Sequence, residues 1–142
     1  MATTLSDSKS SIRVSIPKAY KDLSLSFLKH PGTNDVRPLS DIDAVKQSVK
    51  NIILTNHGDR PFNYKIGSNL TSLLFEPVGP FTSNAIRTEI TEVLAKNEPR
   101  INGVRVNVFD ESERNAYIIR LVYTVVSLNT EVDTQFYLKR LR

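Results

Sequence analysis

The stretch Ala116-Tyr117-Ile118-Ile119-Arg120-Leu121-Val122-Tyr123-Thr124-Val125-Val126 is a long β-branched and aromatic run. Ile119, Leu121, Tyr123 and Val125 stand two residues apart, so on a strand they share one face. Upstream, Val104, Val106 and Val108 alternate with Arg105 and Asn107, the pattern of a strand with one buried and one wet face. Asp110 to Asn115 is a polar loop between the two. Downstream, Ser127 to Asp133 reads as a connection to a last strand over about 134–141, Thr-Gln-Phe-Tyr-Leu-Lys-Arg-Leu. Together these segments predict an antiparallel meander.

The chain before the meander has helical spacing. Ile42, Val45, Val49, Ile52 and Ile53 recur at three- and four-residue steps, which predicts a helix over about 41–54 with one apolar stripe. Ser40 followed by Asp43 has the form of a capping box, and Asn56-His57-Gly58 is a stop with Gly58 as the left-handed cap. Ser68 to Leu74 has room for two helical turns. A second main helix is expected over about 83–96, capped by Thr82 or Ser83, with Ile86, Ile90, Val93 and Leu94 inward. Pro99 disfavours helix at Glu98 and ends it. Pro77, Gly79 and Pro80 read as breaks. The layout predicts an α+β fold, two main helices packed on one face of a small antiparallel C-terminal sheet. Residues 1–39, with an alternating Ser11–Pro17 segment, are expected to form an extended N-terminal arm. Residues 40–142 make up the α+β domain.

At 142 residues the chain supplies one ordinary core. It has no cysteine, so disulfide and thiolate chemistry are excluded. No stretch approaches the roughly 18–20 apolar residues that span a bilayer, and MATTLSDSKS lacks the layout of a secretory signal; no membrane partner is expected. The net charge is +4, with basic residues concentrated in the arm and in Lys139, Arg140 and Arg142. No aromatic platform or glycine-rich loop accompanies them, so the charge reads as solvated, or as directed at an acidic protein surface, and not as a nucleic-acid site.

Chemistry-bearing patterns are sparse. His30 and His57 lack ligands at metal spacing, and no cofactor motif is present. A glycosidase needs a protonated acid and an ionised carboxylate roughly 5–10 Å apart. Glu76, Glu98 and Asp59 are the candidates. Asp59 adjoins Arg60, and Glu98 is two residues from Arg100; a neighbouring cation lowers a carboxylate pKa, the opposite of what a general acid requires.

Three blocks, in order, resemble the wedge and sheath-initiator family of contractile-tail baseplates, often labelled lysozyme-like. They are Ala44 to Thr55 with Gly58-Asp59-Arg60-Pro61-Phe62; Ile66-Gly67-Ser68 with Leu73-Leu74-Phe75-Glu76-Pro77; and Asn97-Glu98-Pro99-Arg100-Ile101 before the valine strand. Upstream, Asp22 to Phe27 and His30-Pro31 also fit. The match covers about residues 20–126. The resemblance implies a structural, non-enzymatic subunit of the inner baseplate in the virion, assembled in the host cytoplasm. Its implied partners are other wedge subunits, tube-proximal baseplate proteins and the tail sheath subunit, whose growth it initiates by strand addition. It further implies that Glu98, Pro99 and Arg100 contact the helical core bundle of the wedge. The alternative is a peptidoglycan-degrading glycosidase carried in the tail.

The residues themselves leave some readings open. Pro99 holds the backbone extended, so Glu98 and Arg100 project to one side, either toward a partner or toward each other. Arg60 is either a partner contact or part of an internal turn pinned by Phe62. Leu73, Leu74 and Phe75 read as core. The last strand reads as a sheet edge, with Phe136, Leu138, Lys139 and Arg140 as candidate contacts; an open edge invites strand addition, and its basic residues either direct a partner or merely protect it.

Overall fold

The computed structural model describes residues 20–139; the segment expected to be a strand over 11–17, and Arg140, lie outside the described residues. The elements in chain order are β1 (Lys21–Leu23), β2 (Pro38–Ser40), α1 (Ile42–Leu54), α2 (Leu70–Leu73), α3 (Pro80–Asn97), β3 (Ile101–Glu111), β4 (Ala116–Val125) and β5 (Thr130–Lys139). The chain is α+β. β3, β4 and β5 form an antiparallel meander with β4 in the middle, and β1 pairs with β2 in a separate two-stranded ribbon.

Residue parity explains the sheet. Tyr117, Ile119, Leu121, Tyr123 and Val125 of β4 are all essentially inaccessible to solvent. On β3, Ile101 and Val106 are buried, although an odd separation would place them on opposite faces of a regular strand. A register shift between Asn102 and Arg105 resolves the conflict. Gly103, at φ +63°, takes the left-handed turn of this bulge. β5 begins at Thr130, earlier than expected, and Val132 joins Phe136 and Leu138 on the buried face. The segment looked like a loop because its outward residues are charged. Those charges are partnered: Arg105 pairs with Glu131 and Arg120 with Asp133 across the exposed face.

The helices cover the other face. α3 lies against β3, and α1 and α2 pack on α3. The expected stripes are buried: Val45, Val49, Ile52 and Ile53 of α1, with Ile42 half-buried, and Ile86, Ile90, Val93 and Leu94 of α3.

The helix ends differ from expectation. Ser40 does not cap α1, because it is committed to β2, opposite Lys21. The cap position is Asp41, whose N–H donates to the Tyr20 carbonyl at 2.8 Å and whose Oδ1 accepts from the Tyr20 N–H at 3.4 Å. α1 ends at Thr55 in extended conformation, and Gly58, although left-handed, sits in the turn beyond. α3 starts at Pro80, which is a first-turn residue and not a break, since the first turn needs no N–H from it. Thr82 and Ser83 turn their hydroxyls back onto the carbonyls of Pro77 and Gly79.

The link from α1 to α2 has one tight point. The Ser68 N–H donates to the Thr55 carbonyl at 2.8 Å, and the Ser68 hydroxyl donates to the Ile53 carbonyl at 2.7 Å in the core. This brings Gly67, at φ +140°, so close that a Cβ would lie 2.7 Å from the Asn56 carbonyl atoms and 2.8 Å from the Thr55 oxygen. Gly67→Ala should therefore destabilise the domain by about 1–3 kcal/mol, read as a lower urea midpoint, whereas Gly79→Ala, with open space around it, should change the midpoint far less.

Candidate protein-interaction site

The Glu98-Pro99-Arg100 triplet sits where α3 ends and β3 begins. The Glu98 N–H still bonds the Leu94 carbonyl at 3.0 Å, but its φ of −128° has left the helix. The Glu98 side chain turns inward and is only 3% exposed. Arg100 grips it with two bonds, Nε to Oε1 at 2.6 Å and one terminal nitrogen to Oε2 at 2.7 Å. The Ser48 hydroxyl of α1 donates to Oε2 at 2.5 Å. Arg100 in turn lies over the Tyr20 ring, 5.4 Å from its centroid, within cation–π range. One carboxylate thus joins α1, the end of α3, the start of β3 and the N-terminal segment.

Burial pushes the Glu98 pKa up, but the hydrogen bonds from Arg100 and Ser48 and the Arg100 charge outweigh it, and the net shift is downward. Tyr123 on β4 titrates above its ordinary value, mainly because it is buried; its hydroxyl contact with Thr134 opposes the shift and the Glu98 charge adds to it. Glu98 is therefore held as an anion, and its side chain does not reach outward as half of a two-charge probe. Pro99 is exposed and Arg100 partly so.

The other candidates do not join this cluster. Arg60 is exposed, reaching the Thr55 hydroxyl at 3.5 Å. Phe62 does not pin that turn internally: it is fully exposed. Asp59 accepts the Asn56 N–H at 2.9 Å and serves the turn. Phe75 is exposed and not core, while Leu74 is buried and Leu73 half-buried. Glu76 is exposed. His57 lies 3.9 Å from Glu89, and the His30 ring accepts turn N–H groups of Gly32 and Thr33. Among the described residues no cluster of His, Asp and Glu could hold a metal ion.

The C-terminal strand is a sheet edge: β5 pairs with β4 alone among the described strands. Phe136 and Leu138, read as edge contacts, have their side chains in the core, so only their backbone faces the edge; Lys139 is exposed. A groove runs beside this edge, bounded by α1, and includes Lys46, Gln47 and Lys50. Sequence reading missed it, since only the inward stripe of α1 was legible; the i, i+4 spacing of the lysines was the available signal.

Comparison with known proteins bears on this arrangement. A family profile, baseplate wedge protein gp25, matches residues 40–130. Baseplate wedge protein gp25 of Enterobacteria phage T4 is 28% identical over 118 residues, 83% of this chain and 89% of that protein. A Geobacter sulfurreducens protein provisionally described as a tail lysozyme superposes with a TM-score of 0.64 at 24% identity, over 69% of this chain and 89% of its own. A chain of the anti-feeding prophage baseplate gives 0.55 at 16% identity, over 87% of each. At these identities the two structures establish a shared fold.

At neutral pH, Glu98→Gln should cost about 1–3 kcal/mol of unfolding free energy, as expected for a buried charged hydrogen bond. Because the folded-state pKa of Glu98 is lowered, the wild-type advantage is full above the ordinary Glu value of about 4.3 and shrinks as pH falls through the lower folded value. Urea titrations of both proteins from pH 7 to pH 3 check this.

Proposed function

From the premise that this chain belongs to the baseplate wedge protein gp25 family, we propose that it is a non-enzymatic connector of the inner baseplate that initiates the tail sheath by strand addition at β5. The coarser part follows from membership: the chain is a structural component of a contractile-tail baseplate and associates there with other baseplate proteins. Incorporation takes place in the host cytoplasm on this reading.

The observation that supports strand addition is the edge of β5, which no other described strand covers. Ten residues of backbone, Thr130–Lys139, run along the outside of the sheet, with the side chains of Val132, Phe136 and Leu138 anchored in the core. An anchored edge offers unpaired N–H and C=O groups without risk of sliding, which suits the addition of a foreign strand. Pro99 and the outer part of Arg100 form a second contact, toward the helical core bundle of the wedge. Glu98 supports that contact by fixing the guanidinium, and the exposed Arg60 offers a further point for a partner.

The enzymatic alternative asks Glu98 to hold a proton. Its lowered pKa and its bonds to Arg100 and Ser48 oppose that role.

Deleting the last strand would remove Phe136 and Leu138 from the core, so a gentler variant is needed. Neighbouring residues on β5 direct their N–H groups to opposite edges. Of Thr134→Pro and Gln135→Pro, one therefore breaks the ladder to β4 and the other only blocks the free edge. The variant that remains folded should enter baseplates that carry no sheath; sheath of normal length on those baseplates overturns strand addition. Purified protein should leave peptidoglycan intact. Clearing that is abolished by Glu76→Gln or Glu98→Gln in a folded protein would establish the glycosidase instead.

A further inference from the structure

We propose that the groove between α1 and the free edge of β5 receives an extended acidic segment of a partner chain, whose carboxylates meet Lys46 and Lys50. The inference rests on the strand-addition reading and adds to it the chemistry of the incoming strand.

The groove has a volume of about 560 Å³. One wall is β5 at Thr134, Gln135 and Phe136, and the other is α1 at Lys46, Gln47 and Lys50. Residues 24–26 line it as well, and Gln47 holds this segment in place. Its Oε1 accepts from the Leu25 N–H at 3.2 Å, and its Nε2 donates to the Leu23 carbonyl at 2.8 Å. The groove is therefore a built feature with a fixed third side.

Its charge has one sign. Lys46 and Lys50 are four residues apart and leave α1 on the same side. Neither forms an ion pair with a described residue. The acidic residues of β5 are engaged elsewhere: Glu131 with Arg105 and Asp133 with Arg120, on the opposite face of the sheet. A strand paired to β5 turns every second side chain toward the helical layer. Four residues of helix rise about 6 Å, and two residues of strand span about 6.7 Å. Acidic side chains two apart on such a strand therefore match the spacing of the two lysines that line the groove.

A second copy of this chain fits poorly. Its own alternating stretch, Ser11–Pro17, carries Arg13 and is flanked by Lys9 and Lys18, and its last residues include Lys139, Arg140 and Arg142. Like charges brought together in the groove select against self-pairing and for an acidic partner.

The test uses full-length protein in reconstituted baseplates supplied with sheath subunit. Lys46→Glu/Lys50→Glu should fold, with a melting temperature near wild type, and should enter baseplates normally. Sheath initiation at physiological salt should fall several-fold to about tenfold, since each exposed ion pair is weak but two are lost here and replaced by repulsion. Lys46→Arg/Lys50→Arg should initiate normally. If charge reversal impairs folding, Lys46→Gln/Lys50→Gln replaces it, with a several-fold loss expected. Wild-type initiation by the charge-altered protein overturns the acidic-segment inference. The edge-proline variant keeps the two ideas apart: its loss of sheath with unimpaired charge-reversed protein means that strand addition is right and the acidic partner wrong.

Discussion

The Glu98 carboxylate cannot be buried alone. An uncompensated charge in the interior costs several kcal/mol, and breaking a buried pair by removing one partner typically costs about 3–5 kcal/mol. At 3% exposure Glu98 must therefore keep its three donated bonds, two from Arg100 and one from Ser48. That requirement fixes the geometry of four segments. Ser48 places α1, Glu98 itself ends α3, and Arg100 opens β3 and holds Tyr20 at the start of the described chain. The sequence pattern predicts an extended backbone around Pro99, but Pro99 and Arg100 form a turn, with the Ile101 N–H donating to the Glu98 carbonyl at 3.4 Å, and this turn brings the Arg100 side chain back onto Glu98.

A rigid interior leaves distinct work for the periphery. The inner face of the sheet is spent on the core, and the outer face balances its charges in cross-strand pairs. What remains is backbone at the β5 edge, a basic groove beside it, and exposed aromatic residues such as Phe62. These are features for contact with neighbouring subunits. The buried Glu98 carboxylate is an anion locked in place, which suits a structural member of the gp25 family better than a proton donor.

Much of the fold was legible because periodicity reports burial directly. The α1 and α3 stripes and the odd-numbered residues of β4 from Tyr117 to Val125 obey it closely. The failures have local causes. β5 starts earlier than expected because Glu131 and Asp133 look like loop residues until their partners Arg105 and Arg120 are seen across the sheet. Ser40 was a good cap by composition, yet strand pairing claimed it first. Pro80 looked like a break and proved to be a first helical turn. The triplet was legible as a site, but its direction was not: whether Glu98 and Arg100 meet each other or a partner depends on Ser48 and Tyr20, which are distant in sequence. Phe62 and Phe75 show the opposite limit, since an aromatic residue in a turn is buried only if something covers it.

The account stands or falls on what lies along β5 in the assembled particle. A cryo-electron microscopy reconstruction of the baseplate with its first sheath ring, at a resolution that traces backbone, tests it most directly. The account predicts a strand from another polypeptide hydrogen-bonded to Thr130–Lys139, with Glu98 still enclosed by Arg100 and Ser48. A bare β5 edge beside an attached sheath, or Glu98 swung out to meet a neighbouring subunit, would contradict it.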